Sequence, residues 1–280
     1  MNSRATLKQA RLGVIGLVVL VWTLVPIYHM LVMALTPPKE AHAGQLWPAN
    51  ATLENFETVF RQGHFFLHHF WIQLWNSVFV AVAAALITLL VAATAVFAIS
   101  RLRLSWGSGV TTLALLTYLI PAAFLAVPMY KTMNQYGLLN TQWALILSVV
   151  TFATPYAIWV LKQYADKLPR ELEEAARIDG ATPLQIFRFV FVPLMAPSLV
   201  AIGTYALLLA WNEYLYAFLM LSREQSMTLP VAIGLFLTND DPPWNILMAT
   251  GIIYSLPPAA IYYAFRRYMV SGLTAGAVKA

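Results

Sequence analysis

Long apolar stretches without a charged side chain recur along the chain, at 12–35, 77–100, 109–130, 143–161, 198–221 (broken by one acid) and 246–265. A helix rises about 1.5 Å per residue and the hydrocarbon core of a bilayer is about 30 Å thick, so a run of roughly 20 such residues crosses once. Six crossings are predicted. Backbone N–H and C=O groups in lipid must be satisfied within their own segment, which makes each run a helix. The expected fold is an all-α integral membrane protein with six transmembrane helices, organised as a single transmembrane domain over residues 1–280. Pro26, Pro121, Pro128, Pro155 and the pair Pro257-Pro258 fall inside the runs. Each removes a helix hydrogen bond and permits a kink, which fits both a bundle around a pathway and plain membrane helices.

Composition agrees with the pattern. The chain is 60% hydrophobic and 10% charged, with a mean hydropathy of +0.68. The first run follows Arg4, Lys8 and Arg11, and Ala41-His42-Ala43 resembles a signal cleavage site. Its apolar stretch exceeds the roughly 7 to 15 residues of a signal, however, and five more spans follow, so it reads as a retained helix. Thirteen of the seventeen Lys and Arg fall in the segments that are inside if the N-terminus is inside, placing both termini in the cytoplasm by the positive-inside rule. The formal net charge of +5 is therefore a topology signal, and no nucleic-acid partner is needed to explain it. The chain has no cysteine, which excludes disulfides, thiolate metal sites and thiol nucleophiles.

Between the first two runs, residues 36–76 carry Trp47, Phe56, Phe65, Phe66, Trp71 and Trp75, the composition of a short section lying along a membrane surface. His64 and His68 are spaced for one helix face, with His69 beside them. Ordinary interfacial histidines explain them more simply than a metal site does.

The charge island lies between the fourth and fifth runs, in 162–190. Leu168-Pro169 opens a helix there, and Glu171, Glu173 and Glu174 complement the positive end of its dipole. Gly180 closes it, and Thr182-Pro183-Leu184-Gln185 has the spacing of a capping box that starts a second helix. Helical periodicity puts Leu172, Ala175, Ala176 and Asp179 on one face, with Arg170, Glu173, Glu174 and Arg177 as a polar rim. Two readings remain at this point, a docking surface and a solvated loop helix.

Glu174-Ala175-Ala176, Gly180 and Val190-Phe191-Val192-Pro193 resemble the EAA loop of ABC importer permeases, with matching spacing and valines at two apolar positions. The resemblance implies a type I ABC importer permease fold and assigns the loop to coupling with an ATP-hydrolysing subunit through Glu174, Ala175, Ala176, Asp179, Gly180 and Pro193. Trp211-Asn212-Glu213-Tyr214-Leu215, Met227-Thr228-Leu229-Pro230, the Gly137 to Thr141 turn and the ending Arg267 to Lys279 are similar to the maltose-type carbohydrate branch of that family. That branch implies a bacterial inner-membrane location, a second homologous permease, a dimer of cytoplasmic ATPases, an extracytoplasmic solute-binding protein and a carbohydrate cargo. A permease for glycerol phosphate or a peptide is the alternative within the family, and an ion-coupled carrier the alternative outside it.

The chain lacks a G-x-x-x-x-G-K-[ST] phosphate loop and an evident catalytic constellation, so no enzyme activity and no cofactor are expected. Glu213 is the one charged residue inside the six runs. Its cost in lipid turns it toward the bundle interior or water. On a continuous helix Tyr205, Asn212 and Tyr216 fall close to one line with Glu213 beside them, a set suited to the C–H faces and hydroxyls of a sugar. Pairing of Glu213 with a neighbouring helix explains the residue equally well.

Overall fold

The computed structural model describes residues 3–41, 44–102, 107–238 and 240–274. Arg103, part of the Ala41-His42-Ala43 stretch and the end of the tail at 275–280 lie outside the described residues. Every described α- and 3-10-helical element belongs to the order α1 Ser3–Leu35, α2 Glu54–Phe60, α3 Phe70–Arg101, α4 Gly107–Tyr118, α5 Ala126–Gln135, α6 Gln142–Ala165, α7 Glu171–Ile178, α8 Pro183–Ile186, α9 Val192–Trp211, α10 Leu215–Met220, α11 Leu229–Leu235 and α12 Trp244–Thr274, with short 3-10 and π turns between them.

Among the described residues, five helical segments are long and apolar enough to cross a membrane, and a sixth crossing results if a bent pair counts as one. That pair is the predicted third span. The run at 109–130 is two helices meeting at 90°. Leu119 and Ile120 close α4 with three-residue turns, and Pro121 then takes an extended conformation (φ −58°, ψ 127°) ahead of the turn Ala122–Leu125. A proline has no N–H to continue the α4 ladder and restricts the residue before it, so the chain turns here instead of kinking. The prolines at 26, 155, 197, 257 and 258 all lie within continuous helices.

The chain divides into two compact units. The first comprises residues 1–70 and 232–256. Here the side chain of Asn55, in α2, donates to the carbonyls of Ala34 and Thr36 at 2.8 Å each and accepts from Asn245 at 2.8 Å. All three elements are thereby fastened through one buried amide. From Arg11 to His29 α1 is exposed, Trp22 at 82%, as expected of a surface whose solvent is lipid, while Val32 and Ala34 near its end are buried. His64 and His68 do not share a helix. His64 caps the turn Phe65–Leu67 from an extended backbone and stacks on Phe236 with ring centres 5.6 Å apart.

The second unit comprises residues 71–231 and 257–280. Its centre is α6, packed against α4 and α9. Small buried residues, Ala85 of α3, Ala153 of α6 and Ala206 of α9, meet in the middle of the bundle. Close approach through alanines is the ordinary way for membrane helices to gain packing where hydrophobic burial gives no net driving force. Toward one end the core becomes larger, with Val96 and Phe97 of α3, Ile158 and Leu161 of α6, Ile186 of α8, and Phe191 and Met195 around the start of α9. This heavier end carries the polar loop.

Candidate functional site: the helical loop and the tyrosine-lined cavity

The loop after α6 is built from local chemistry. Helix α7 starts at Glu171 with Arg170 as its flanking residue, so Pro169 stands just outside the helix and not in its first turn. At the other end the N–H groups of Gly180 and Ala181 donate to the carbonyls of Arg177 and Ala176 at 3.1 and 2.9 Å. This is a Schellman closure, and Gly180, with φ +85°, supplies the left-handed residue it requires. Thr182 and Gln185 then form the reciprocal capping box, with Pro183 in the first turn of α8.

A π turn at Phe187–Phe191 links α8 to α9. Pro193 follows within the first turn of α9 and cannot donate to the carbonyl four residues back. A widened turn accommodates that missing donor. The proline that ends the EAA pattern thus sets the join between loop and span.

The exposed face of α7 differs from the sequence expectation. Glu174, Ala175 and Asp179 are exposed, whereas Ala176 packs on the core cluster with Ile186 and Phe191 beneath it. The two alanines of the pattern face different ways: one permits close approach of α7 to its own bundle, and the other lies outward. Glu173 is not part of a polar rim. It is buried, and its carboxylate accepts from Nε of Arg101, at the end of α3, at 2.6 Å. Around the outward face, Leu172 is 50%, Ile178 86% and Leu184 74% exposed. These three apolar side chains stand exposed on an otherwise polar loop.

A second feature lies between α6 and α9. A cavity of about 380 Å³ is lined by Tyr156, Trp159, Gln163, Tyr164, Lys167, Ser198 and Tyr205, among others. At its end the rings of Tyr118 and Tyr156 stack at 5.5 Å, Tyr156 lies 4.7 Å from Tyr205, and the hydroxyls of Tyr118 and Tyr205 are 3.1 Å apart. Rings beside hydroxyl, amide and ammonium groups can pack a sugar's C–H faces and satisfy its hydroxyls.

Tyr205 therefore joins this cavity, but the other three predicted pathway residues do not sit with it. The continuous helix assumed over 198–221 is broken at 212–214, between α9 and α10. Past that break the alignment of Tyr205 with Tyr216 is lost. Asn212 folds its amide back onto the carbonyl of Leu208 at 2.8 Å. Glu213 accepts the N–H of Tyr216 at 2.9 Å at the start of α10. Tyr216 is 1% exposed, and its hydroxyl donates to the carbonyl of Ala122 at 2.6 Å.

The other motif residues make brackets. Asn140, at φ +62°, accepts through Oδ1 from the N–H groups of Ser222 and Arg223 at 2.7 and 3.0 Å and from the Ser222 hydroxyl at 2.9 Å. Gly137, at φ +68°, turns the chain toward it. From α3, the amide of Asn76 donates to the carbonyls of Gln225 and Met227 at 2.9 Å each, and Ser77 accepts from the N–H of Leu229 at 2.8 Å. Sequence reasoning missed Tyr118, Tyr156, Asn140 and Arg101 as partners. For the tyrosines the only local signal was a phenol in an apolar run, since the residues that meet are 38 to 87 positions apart.

Comparison with known proteins decides the family. Residues 100–275 match the family described as the inner membrane component of binding-protein-dependent transport systems. The chain belongs to that family. Among this permease's relatives, the inner membrane ABC transporter permease protein YcjP of Escherichia coli is 34% identical, over 93% of this chain and 92% of its own. The trehalose transport permease SugB of Mycobacterium tuberculosis is 33% identical over 95% and 96% of the two chains. A trehalose/maltose permease, MalG of Thermococcus litoralis, is 30% identical over 98% of each. The fold is that of a crystallised bacterial ABC transporter involved in alginate import, with a TM-score of 0.82, 21% identity and 96% and 98% of the chains covered. The permease is thus a multi-pass inner-membrane transport subunit with the ABC importer fold.

Proposed function

We propose that this permease carries a carbohydrate into the cytoplasm as one of two homologous membrane subunits of an importer, energised by a dimer of cytoplasmic ATPases and supplied by an extracytoplasmic solute-binding protein. The observation that carries the substrate class is the run of relatives matched along nearly the whole chain. Those named above for trehalose and maltose are joined by the diacetylchitobiose permease DasC of Streptomyces coelicolor, 30% identical over 95% of this chain. The ring-lined cavity between α6 and α9 is consistent in chemistry and size, since small-ligand sites run from about 300 to 1,000 Å³.

In this reading both termini and the α7–α8 loop face the cytoplasm, as the Lys and Arg distribution supports. The ATPase receives α7 through Leu172 and Ile178 and α8 through Leu184, with Glu174, Ala175 and Asp179 also exposed on the loop. Gly180 and Pro193 set the ends of the loop that carries that surface. ATP binding moves the docked helix, and the bundle passes the motion to the cavity at Tyr118, Tyr156 and Tyr205. Glu213 and Tyr216 act on that side by holding the break between α9 and α10, and Asn212 lies at the break itself.

The test is uptake by proteoliposomes holding the permease with its co-purifying subunits and binding protein. ATP-dependent accumulation of a di- or oligosaccharide is expected. Accumulation of glycerol phosphate or a peptide instead would assign the alternative cargo, and uptake that needs an ion gradient and no ATP would contradict the reading.

A further inference from the structure

The docking loop is joined to the bundle by more than its two chain connections. Arg101 is the last residue of α3, 72 positions from Glu173, and both side chains are almost fully removed from solvent, at 2% and 3%. Nε of Arg101 donates to the Glu173 carboxylate at 2.6 Å, while Nη2 donates to the carbonyl of Ala165, the last residue of α6, at 3.1 Å. The guanidinium also lies over the ring of Phe191, 5.7 Å from its centre, at the join to α9. Phe191 in turn stands edge-on to Phe97 of α3 at 5.2 Å. One planar, permanently charged group therefore touches α3, α6, α7 and the start of α9.

A buried ion pair is a costly way to gain stability, because desolvation of both charges offsets most of their attraction. Its value is directional: a guanidinium fixes angles as well as distance, and a pair shut away from water does not slide. A more accessible pair, such as Lys162 of α6 with Asp166 just past its end, has no such constraint.

We propose that Arg101 is the positioning residue that locks α7 to α3, so that displacement of the docked helix by the ATPase is delivered directly to a transmembrane span with no chain connection to the loop. Without it, the loop reaches α3 only through apolar packing, that of Ala176 and of the Phe97–Phe191 pair, which can slide. The proposal rests on the reading of α7 as the ATPase-docking helix. The pair stays closed throughout the transport cycle, because it moves as one body.

This permease has no native cysteine, so a direct test is open once its partner subunits are made cysteine-free. In the assembled transporter, the variant R101C/E173C removes both charges together, and a bifunctional thiosulfonate reagent of the ion pair's reach then restores a link. The unlinked variant is expected to bind the ATPase but to lose sugar uptake per ATP hydrolysed by at least about fivefold. Cross-linking is expected to recover most of that ratio.

Uptake per ATP that is undiminished before cross-linking, a link that does not form, or a link that forms without recovery each overturns the proposal. A second variant, R101M/E173L, keeps volume without charge and is expected to show the same uncoupling. If both variants fail to assemble, the pair is a folding element only and the proposal is overturned. A separate cysteine at Ile178 tests the underlying reading: if it cannot be cross-linked to the ATPase, the docking assignment fails whatever Arg101 does.

Discussion

The carboxylate of Glu213 accepts the backbone N–H of Tyr216 at 2.9 Å, closing the start of α10 immediately after α9 ends at Trp211. An acid that sequence alone places in the middle of a span therefore serves a helix start inside a broken one. Replacement by alanine removes this hydrogen bond, worth about 1 kcal/mol, and glutamine, which still offers an acceptor, retains most of it. Thermal unfolding in detergent should show the E213A midpoint lowered and the E213Q midpoint close to the parent. Transport lost in E213Q at unchanged stability would mean that the charge itself serves the pathway.

Asn140 is the second load carrier at that end of the bundle. Its side chain accepts three hydrogen bonds from Ser222 and Arg223 while its backbone holds φ +62°. Alanine there loses the acceptors and strains the backbone, a cost of about 3 kcal/mol in all. Asn140→Gly spares the strain and should fall between parent and N140A in unfolding experiments. Equal stability of all three would show that the bracket carries no energy.

Gly180 holds φ +85°, with open space where a Cβ would stand, so G180A is a pure backbone test. The substitution is expected to cost about 1 kcal/mol, confined to the loop. Hydrogen exchange should quicken in α7 and α8 while the spans keep their protection. Unchanged exchange at Ala181, whose N–H reaches back to Ala176 at 2.9 Å, would contradict the Schellman assignment.

What could be read from the sequence, and what could not, follows the range of the forces. The helical character of the apolar runs was legible because lipid forces each to satisfy its own backbone, but the breaks within 109–130 and 198–221 were not. The caps of the loop were legible because Gly180, Thr182 and Gln185 act within four residues of one another. Long-range geometry was not. Nothing near Glu173 marks its partner 72 residues earlier, and nothing in the run 198–221 announces the break at Glu213 except the acid that turned out to cap it. Tyr205 found its partners across three helices, so a single-helix projection could not assemble the cavity.

Burial holds the imidazole of His64 below its usual pKa, with the neighbouring His68 adding to the effect. The folded form therefore binds that proton less readily than the unfolded chain. At pH above the ordinary histidine value of about 6.5 both states are neutral and stability is full. As pH falls from there toward the depressed folded value, the unfolded state gains the proton first and stability declines. The variant H64F, which keeps a ring against Phe236, should flatten this part of the stability-pH curve. A curve with the same slope as the parent would place the titration elsewhere.

The side chain of Ile178 is 86% exposed at the end of α7, where the docking surface is proposed. The measurement is retention of the ATPase subunit on affinity-captured I178D, compared with the parent at equal permease loading and equal thermal stability. Burying one unpaired carboxylate in an apolar contact costs several kcal/mol, so I178D is expected to lose nearly all the ATPase and ATP-driven uptake with it. Full retention of the ATPase with undiminished uptake would mean that α7 is not where the ATPase docks.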